Sequence, residues 1–280
     1  GLAQCGVCVR HPPPIDACLA AVDYGYPWAQ VLAERNSVEA GRRALVDAGI
    51  KPEQVGLMVN TSVSRDHLEP STAVRIHDTL GLPRSASNFD VTNACLGFVN
   101  GITVASSMID AGAIDYALIV CGEDPSPWQE TALRMLNRPD STRDEVLTQF
   151  ATLTLGSGAA AAVIGRADRH PEGHRILGSV SRAGTEHKDL CIGGDAGQGM
   201  ATDATGLLTH GLKLVTDAWE EAHREGWDWT DMDAYVTHQI STSHTNAIVD
   251  AVAKIKAENP NALYACDPVM GNAKSGCFVH

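Results

Sequence analysis

The chain has 280 residues, 44% hydrophobic and 5% aromatic, enough for one large domain or two small ones, and its abundant small side chains favour packed α/β layers over an all-β sandwich. Lys and Arg number 21 against 34 Asp and Glu, a net charge of −13, which argues against nucleic acid or an anionic membrane as the main partner. There is no membrane span or secretory pattern, so a soluble cytoplasmic protein is expected.

Residues 1–31 hold three consecutive prolines and no sustained period. Beyond them the text becomes regular. Ser37 can cap a helix to about Ala48, with Val38, Gly41, Ala44, Leu45 and Ala48 on one face and Gly49 as its stop. Val55 to Asn60 reads as a buried strand. Ser71 can cap a helix to about Leu80, closed by Gly81 and Pro83. Phe89 to Thr92 reads as a strand, followed by a helix through Asp110 with Leu96, Val99, Ile102, Ala105 and Ile109 at helical spacing. Tyr116 to Cys121, Ala159 to Ile164 and Ile176 to Ser181 read as further strands. A long amphipathic helix covers 205–224, with Leu207, Leu208, Leu212, Val215 and Trp219 on one side, and Tyr235 to His238 is a strand ending in a histidine. This alternation predicts a mostly parallel sheet covered by helices.

Eight cysteines are too sparse for a disulfide scaffold and are expected reduced, mostly as small buried hydrophobes. Cys5 and Cys8 form a lone CxxC with no second ligand pair nearby, so no metal site is expected.

The sharpest motif is FDVTNACLGFVNGI, residues 89–102, which puts Cys95 where a helix begins. Unpaired N–H groups and the partial positive charge of a helix N-terminus stabilise a thiolate and could hold the oxyanion of a thioester under attack. Gly97 lets another segment approach closely. By spacing alone, a buried structural cysteine fits equally well. YVTHQIS, residues 235–241, places His238 at the carboxyl end of a strand, where it could donate a hydrogen bond or carry a proton; a satisfied core or surface histidine is the plainer reading. Glu69 lies in the polar turn TSVSRDHLEPST, residues 61–72, where a solvated carboxylate is the plainer reading. LTLGSGAAAAVIG, residues 153–165, has Gly156 and Gly158 before a strand rather than a helix, so it is a tight turn and not a dinucleotide fingerprint.

Together, NTSVSRDHLEPSTAVRIHDTLGL, FDVTNACLGFVNGI, DYALIVCGE, TLGSGAAAAVIG and VTHQIS resemble the OleA-like ketosynthase III branch of the thiolase superfamily, over about residues 32–246. The resemblance implies an α/β, thiolase-like αβαβα layered fold of two related halves, 32–170 and a second starting at 171–246, working as a homodimer. It implies that Cys95 takes the acyl group of an acyl-CoA. His238 and an asparagine then polarise a second thioester, and Glu69, offered across the dimer, takes its α-proton. The implied reaction is a non-decarboxylative Claisen condensation to a β-keto product. Coenzyme A enters as thioester substrate, with no other cofactor and no metal. A decarboxylative 3-oxoacyl-acyl-carrier-protein synthase III is the alternative, with an acyl-ACP donor that would need a local basic patch.

After about Asn246 the likeness stops. Residues 247–280 resemble instead an internal fragment of a pyridoxal kinase, with VAKIKAENPNALYACDPVMG as its helix, strand and loop. A helix over Ile248 to Glu258 and a strand over Leu263 to Cys266 are expected there, with Asn272, which follows Gly271, as the candidate second catalytic residue. The fold is expected to be incomplete at its C-terminus, so a catalytically dead thiolase-fold hybrid is a further alternative.

Overall fold

The apolar run around residue 58 becomes strand β1 (Leu57–Asn60), and its alternation decides the architecture. Met58 faces one helical layer, Leu57 and Val59 face the other, and all three are fully buried, as a strand covered on both faces requires. The computed structural model describes residues 28–65, 68–171, 173–176, 178–194, 199–226, 234–237, 253–254, 257 and 263–266. The chain divides into two compact units, 1–179 with 184–210, and 180–183 with 211–280.

The first unit holds a four-stranded sheet in the order β2 (Ser87–Asp90), β1, β3 (Tyr116–Glu123), β4 (Gly158–Gly165). β2 and β3 run parallel to β1, while β4 pairs antiparallel with β3. One face is covered by α1 (Trp28–Ala48) and α2 (Thr72–Thr79), which bring Val38, Ala44, Leu45, Ala73 and Ile76 against Met58, Leu118 and Val120. The other face is covered by α3 (Gly97–Asp110), with Ala105 and Ile109 against Leu57, Val59, Ala117 and Ile119. This is a three-layer α/β/α sandwich with a mostly parallel sheet, as the sequence pattern predicts.

Several local expectations are corrected. Helix α1 starts at Trp28, so Ser37 lies inside it and caps nothing. Ser37 is buried against β3 instead, where a Cβ on Gly122 would come within 2.3 Å of Ser37 Oγ and of the Ala33 carbonyl. The buried row of α3 is Gly97, Gly101, Ala105 and Ile109, whereas Leu96 and Val99 are exposed. Small residues four apart let the helix settle close to the sheet: a Cβ on Gly101 would already stand 3.0 Å from Thr61 Cγ2. The described residues of 176–181 form no strand, and Ile176 is exposed. Gly49 and Gly81 do end α1 and α2, each at φ +66°, a left-handed turn that glycine adopts without strain.

The sequence pattern did not announce α4 (Ser126–Leu136), α5 (Arg143–Thr154) or the hairpin β5 (Cys191–Gly193) with β6 (Met200–Thr202). Helix α6 (Ala204–Arg224) follows, with its Leu207, Leu208, Leu212, Val215 and Trp219 stripe exposed. In the second unit β7 (Ala234–Thr237) pairs parallel with β8 (Leu263–Cys266), the strand expected there. Of the helix expected over 248–258, Ala253, Lys254 and Ala257 are described and helical. Among the described residues no helix is long and apolar enough to cross a membrane. Cys5, Cys8, His238 and Asn272 lie outside the described residues.

Candidate active site

At the carboxyl ends of the three parallel strands the sequence turns polar: Asn60 closing β1 with Thr61-Ser62 after it, Asp90 closing β2, and Glu123 closing β3, which runs three residues further, with Asp124 after it. The carboxyl ends of parallel strands are where α/β sheets bind ligands. Asn60, Thr61, Ser62 and Ser64 are nonetheless buried, so their polar atoms must find partners. Thr61 donates to the Val120 carbonyl from both N (2.8 Å) and Oγ1 (3.0 Å). Asn60 Nδ2 donates to Asp90 Oδ1 at 3.1 Å. Ser62 Oγ donates to Asn60 Oδ1 at 2.7 Å and accepts from Gly122 N at 2.9 Å. The result is a hydrogen-bonded polar floor across β1, β2 and β3.

The turn after Cys95 docks on this floor through Gly97. From Asp90 the chain passes through Ala94, whose φ of +43° is in the left-handed region that a Cβ disfavours. Cys95 follows, exposed, and α3 begins two residues later at Gly97. A Cβ on Gly97 would lie 2.9 Å from the carbonyl oxygens of both Thr61 and Val91. Only glycine lets the first turn of α3 dock there, which confirms the close approach expected at this position. The preceding turn is held by Leu96 N donating to Asn93 O at 2.9 Å, and by Asn93 Nδ2 donating to Asn100 Oδ1 at 2.7 Å. Arg65 donates to Thr92 Oγ1, which in turn donates to the Ser62 carbonyl at 3.4 Å.

Glu69 lies in the arm between β1 and α2, with its side chain exposed. The near end of the arm is clamped by Glu123, which accepts from Val63 N (2.6 Å), Ser64 N (2.9 Å) and Ser64 Oγ (2.6 Å). At the far end the expected cap is corrected: Ser71 makes no side-chain capping bond, and Asp90 accepts from Thr72 N (3.0 Å) and Ala73 N (2.9 Å) in its place. The Gly156–Gly158 turn is tied to β3 through buried Asp124, whose Oδ1 accepts from Ser157 Oγ at 3.2 Å and from Ser126 Oγ at 2.6 Å.

The segments carrying Cys95 and Glu69 thus share one floor. His238 follows the last residue of β7, Thr237, and with Asn272 it is outside the described residues. Of the cysteines whose burial is described, Cys95 and Cys191 are exposed and Cys121 is half-buried. Burial pushes the Cys121 thiol up to about 11, helped by the Glu123 carboxylate beside it, so it is not a nucleophile at neutral pH. Among the described residues no three His, Cys, Asp or Glu side chains gather as a metal site would need. Sequence reasoning missed Asp90 and Glu123. Their one signal is an acid closing an apolar strand, in FD and CGED.

Residues 89–184, which contain Cys95, match the family described as 3-oxoacyl-[acyl-carrier-protein] synthase III. An acyl-CoA:acyl-CoA alkyltransferase of Xanthomonas campestris is 43% identical over 224 residues, covering 79% of this chain and 66% of that protein. A β-ketoacyl-[acyl-carrier-protein] synthase III of Streptomyces coelicolor is 31% identical over 219 residues, covering 78% and 59%. Among solved structures, a cysteine-to-serine variant of Xanthomonas campestris OleA with bound lauric acid and lauroyl-CoA matches with a TM-score of 0.75 at 39% identity, covering 84% of this chain and 68% of that one. The chain spans just under two thirds of the length of the curated relatives it matches.

Proposed function

The chain belongs to the OleA-like ketosynthase III family and has its thiolase-like fold, and from that premise we propose that it is an acyltransferase joining two acyl-CoA thioesters by a non-decarboxylative Claisen condensation. The observation that carries this reading is the exposed Cys95 on a left-handed turn ahead of a helix whose first residue must be glycine. Cys95 Sγ attacks the thioester carbonyl of a first acyl-CoA. Coenzyme A leaves as the free thiol, carrying the cysteine's proton, and an acyl-Cys95 thioester remains. The start of α3 lies next to Cys95, and the partial positive charge of a helix N-terminus favours the oxyanion formed on the way.

A second acyl-CoA then loses an α-proton to Glu69 of the partner subunit in a homodimer. Its α-carbon attacks the acyl-Cys95 carbonyl and a carbon–carbon bond forms. The cysteine leaves as thiolate and recovers a proton from the Glu69 carboxyl, giving a β-ketoacyl-CoA. His238 and Asn272 polarise the second thioester, which acidifies its α-hydrogens. The reaction needs no metal and no cofactor beyond coenzyme A as carrier, and the setting is cytoplasmic. Residues 247–280 contribute no phosphoryl transfer despite their likeness to a pyridoxal kinase fragment, so ATP-dependent phosphorylation of pyridoxal is expected to be absent.

The decarboxylative alternative, with an acyl-carrier-protein donor, is favoured by the match over residues 89–184. The identity of 43% to an acyl-CoA:acyl-CoA alkyltransferase against 31% to a β-ketoacyl synthase supports the first reading. The test is intact mass after incubation with a long-chain acyl-CoA, beside a Cys95→Ala control, followed by product analysis. An acyl adduct absent from the control, with a β-keto product formed without malonyl thioester, supports the proposal. Soluble, folded protein that takes no adduct overturns it in favour of a catalytically dead thiolase-fold scaffold.

A further inference from the structure

The described residues of the arm that carries Glu69 form no helix or strand, so its position depends on what holds its two ends. At the far end, the first N–H groups of α2 would ordinarily be satisfied by a side chain from the preceding residue. Ser71 stands there and makes no such bond. Both donors go instead to Asp90, at 3.0 Å from Thr72 N and 2.9 Å from Ala73 N. Asp90 is the last residue of β2, and the chain continues from it through Val91 to Ala94 into Cys95. The carboxylate is fixed in turn by Asn60 Nδ2 at 3.1 Å, and Asn60 by Ser62 Oγ at 2.7 Å, both inside the buried floor. A negative charge at a helix N-terminus makes a stronger bond than a neutral cap does.

We propose that Asp90 is a positioning residue for the condensation step, a single carboxylate that ties the strand leading to Cys95 to the helix start that fixes the Glu69 arm. This rests on the reading of Glu69 as the base. Glu123 holds the near end of the arm through Val63 and Ser64, so loss of Asp90 frees the end next to Glu69 and leaves the other clamped. Acylation of Cys95 does not use Glu69 and is expected to survive. Misplacement of a reacting group by about 1 Å can cost on the order of a hundredfold in rate.

The experiment measures two half-reactions on the full chain in wild type, Glu69→Ala, Asp90→Asn and the double variant: acyl-adduct formation on Cys95 by intact mass, and β-keto product from a long-chain acyl-CoA. Asp90→Asn keeps the size of the side chain but turns one acceptor into a donor facing a backbone N–H. The expected result is acylation within about threefold of wild type, condensation slowed about 30-fold, and a double variant no slower than Glu69→Ala. Asn60→Ser, which removes the third partner of the carboxylate, is the second variant, with the same split expected at about fivefold; it carries the test if Asp90→Asn does not fold. Acylation and condensation falling by the same factor, or condensation at the wild-type rate in Asp90→Asn, overturns the role of Asp90 while leaving Glu69 as base. Wild type that acylates without condensing, or Glu69→Ala that condenses normally, overturns the reading of Glu69 and the role of Asp90 with it.

Discussion

Replacing Gly97 by alanine probes the junction between floor and nucleophile, because the obstacle is backbone on both sides. The added Cβ would sit 2.9 Å from Thr61 O and from Val91 O, against an ordinary contact of at least 3.4 Å. Neither oxygen can rotate away, so the first turn of α3 must lift by about half an ångström, the difference between those distances. Overpacking of this kind costs about 1–3 kcal/mol, and the better helix propensity of alanine recovers at most about 1 kcal/mol of it. A net loss of about 1–2 kcal/mol lowers the melting temperature by about 2–8 °C for a chain of this size. The internal control is Gly211→Ala in α6, where a Cβ meets nothing within 4 Å; there the propensity gain of about 0.5–1 kcal/mol stands alone and Tm rises. Thermal unfolding by circular dichroism reads both variants, and iodoacetamide labelling of Cys95 reads the displaced turn, with about a tenfold slower reaction expected for Gly97→Ala. A Gly97→Ala protein that melts with wild type and labels Cys95 at the wild-type rate would refute the argument.

Cysteine labelling at pH 8, mapped by peptide mass, is expected to mark Cys95 and Cys191 and spare Cys121, since a thiol held at about 11 is ionised to only about one part in a thousand there; equal labelling of Cys121 contradicts its burial. The same shift links to stability. The Cys121 thiol is raised in the folded state, so its contribution is complete below the ordinary value of 9.0 and is lost as pH climbs from there to about 11. The loss is on the order of 2 kcal/mol, and Cys121→Val, unfolded in urea at pH 8 and pH 11, should show a smaller drop than wild type. Thr142→Ala removes the side chain that accepts from Glu145 N at 3.2 Å and leaves half of the capping box of α5; a loss of about 1 kcal/mol is expected in urea unfolding, and none at all would show that α5 does not depend on its cap. Gly122→Ala forces a Cβ to 2.3 Å from the Ala33 carbonyl and Ser37 Oγ. It should cost about 3 kcal/mol or more, and a soluble variant of wild-type Tm would mean that α1 does not pack on β3 as described.

Three strands of the sheet were readable from sequence because each contains a short run of buried apolar residues. LMVN, YALIVCGE and GAAAAVIG are strands where the pattern puts them. The place of Cys95 was readable because FDVTNACLGF joins a strand to a helical repeat with glycine at the junction. The failures have identifiable causes. In α3 the rule that large apolar residues face the core selected Leu96 and Val99, but the approach is close enough that Gly97 and Gly101 occupy the contact. Helices α4 and α5 carry mixed faces with Leu133, Leu147 and Phe150 exposed, so their period gave no clear signal. At α2 the local cap was a reasonable inference from Ser71, and what displaced it was a carboxylate from an element far along the chain, which spacing within the helix cannot reveal.

That displacement also explains why the polar ends of three buried strands are compatible with stability. A row of Asn, Thr and Ser beneath a helix would destabilise the unit if left unpaired. Here each buried group finds its partner on a neighbouring strand end: Thr61 on Val120, Asn60 on Asp90, Ser62 on Gly122. The bonds cross β1, β2 and β3 rather than running along one of them, so the strand ends cannot shift independently. The two segments that carry the proposed catalytic residues leave from this cross-braced edge, Cys95 from the end of β2 and the Glu69 arm from the end of β1, with Glu123 of β3 gripping the arm. In the proposed homodimer each Cys95 works with Glu69 of the partner subunit, so each subunit must hold both of its segments in fixed positions. A floor whose polar groups are satisfied only when all three strands are in register supplies that, because any slip that moved one segment would leave buried donors of the other unpaired.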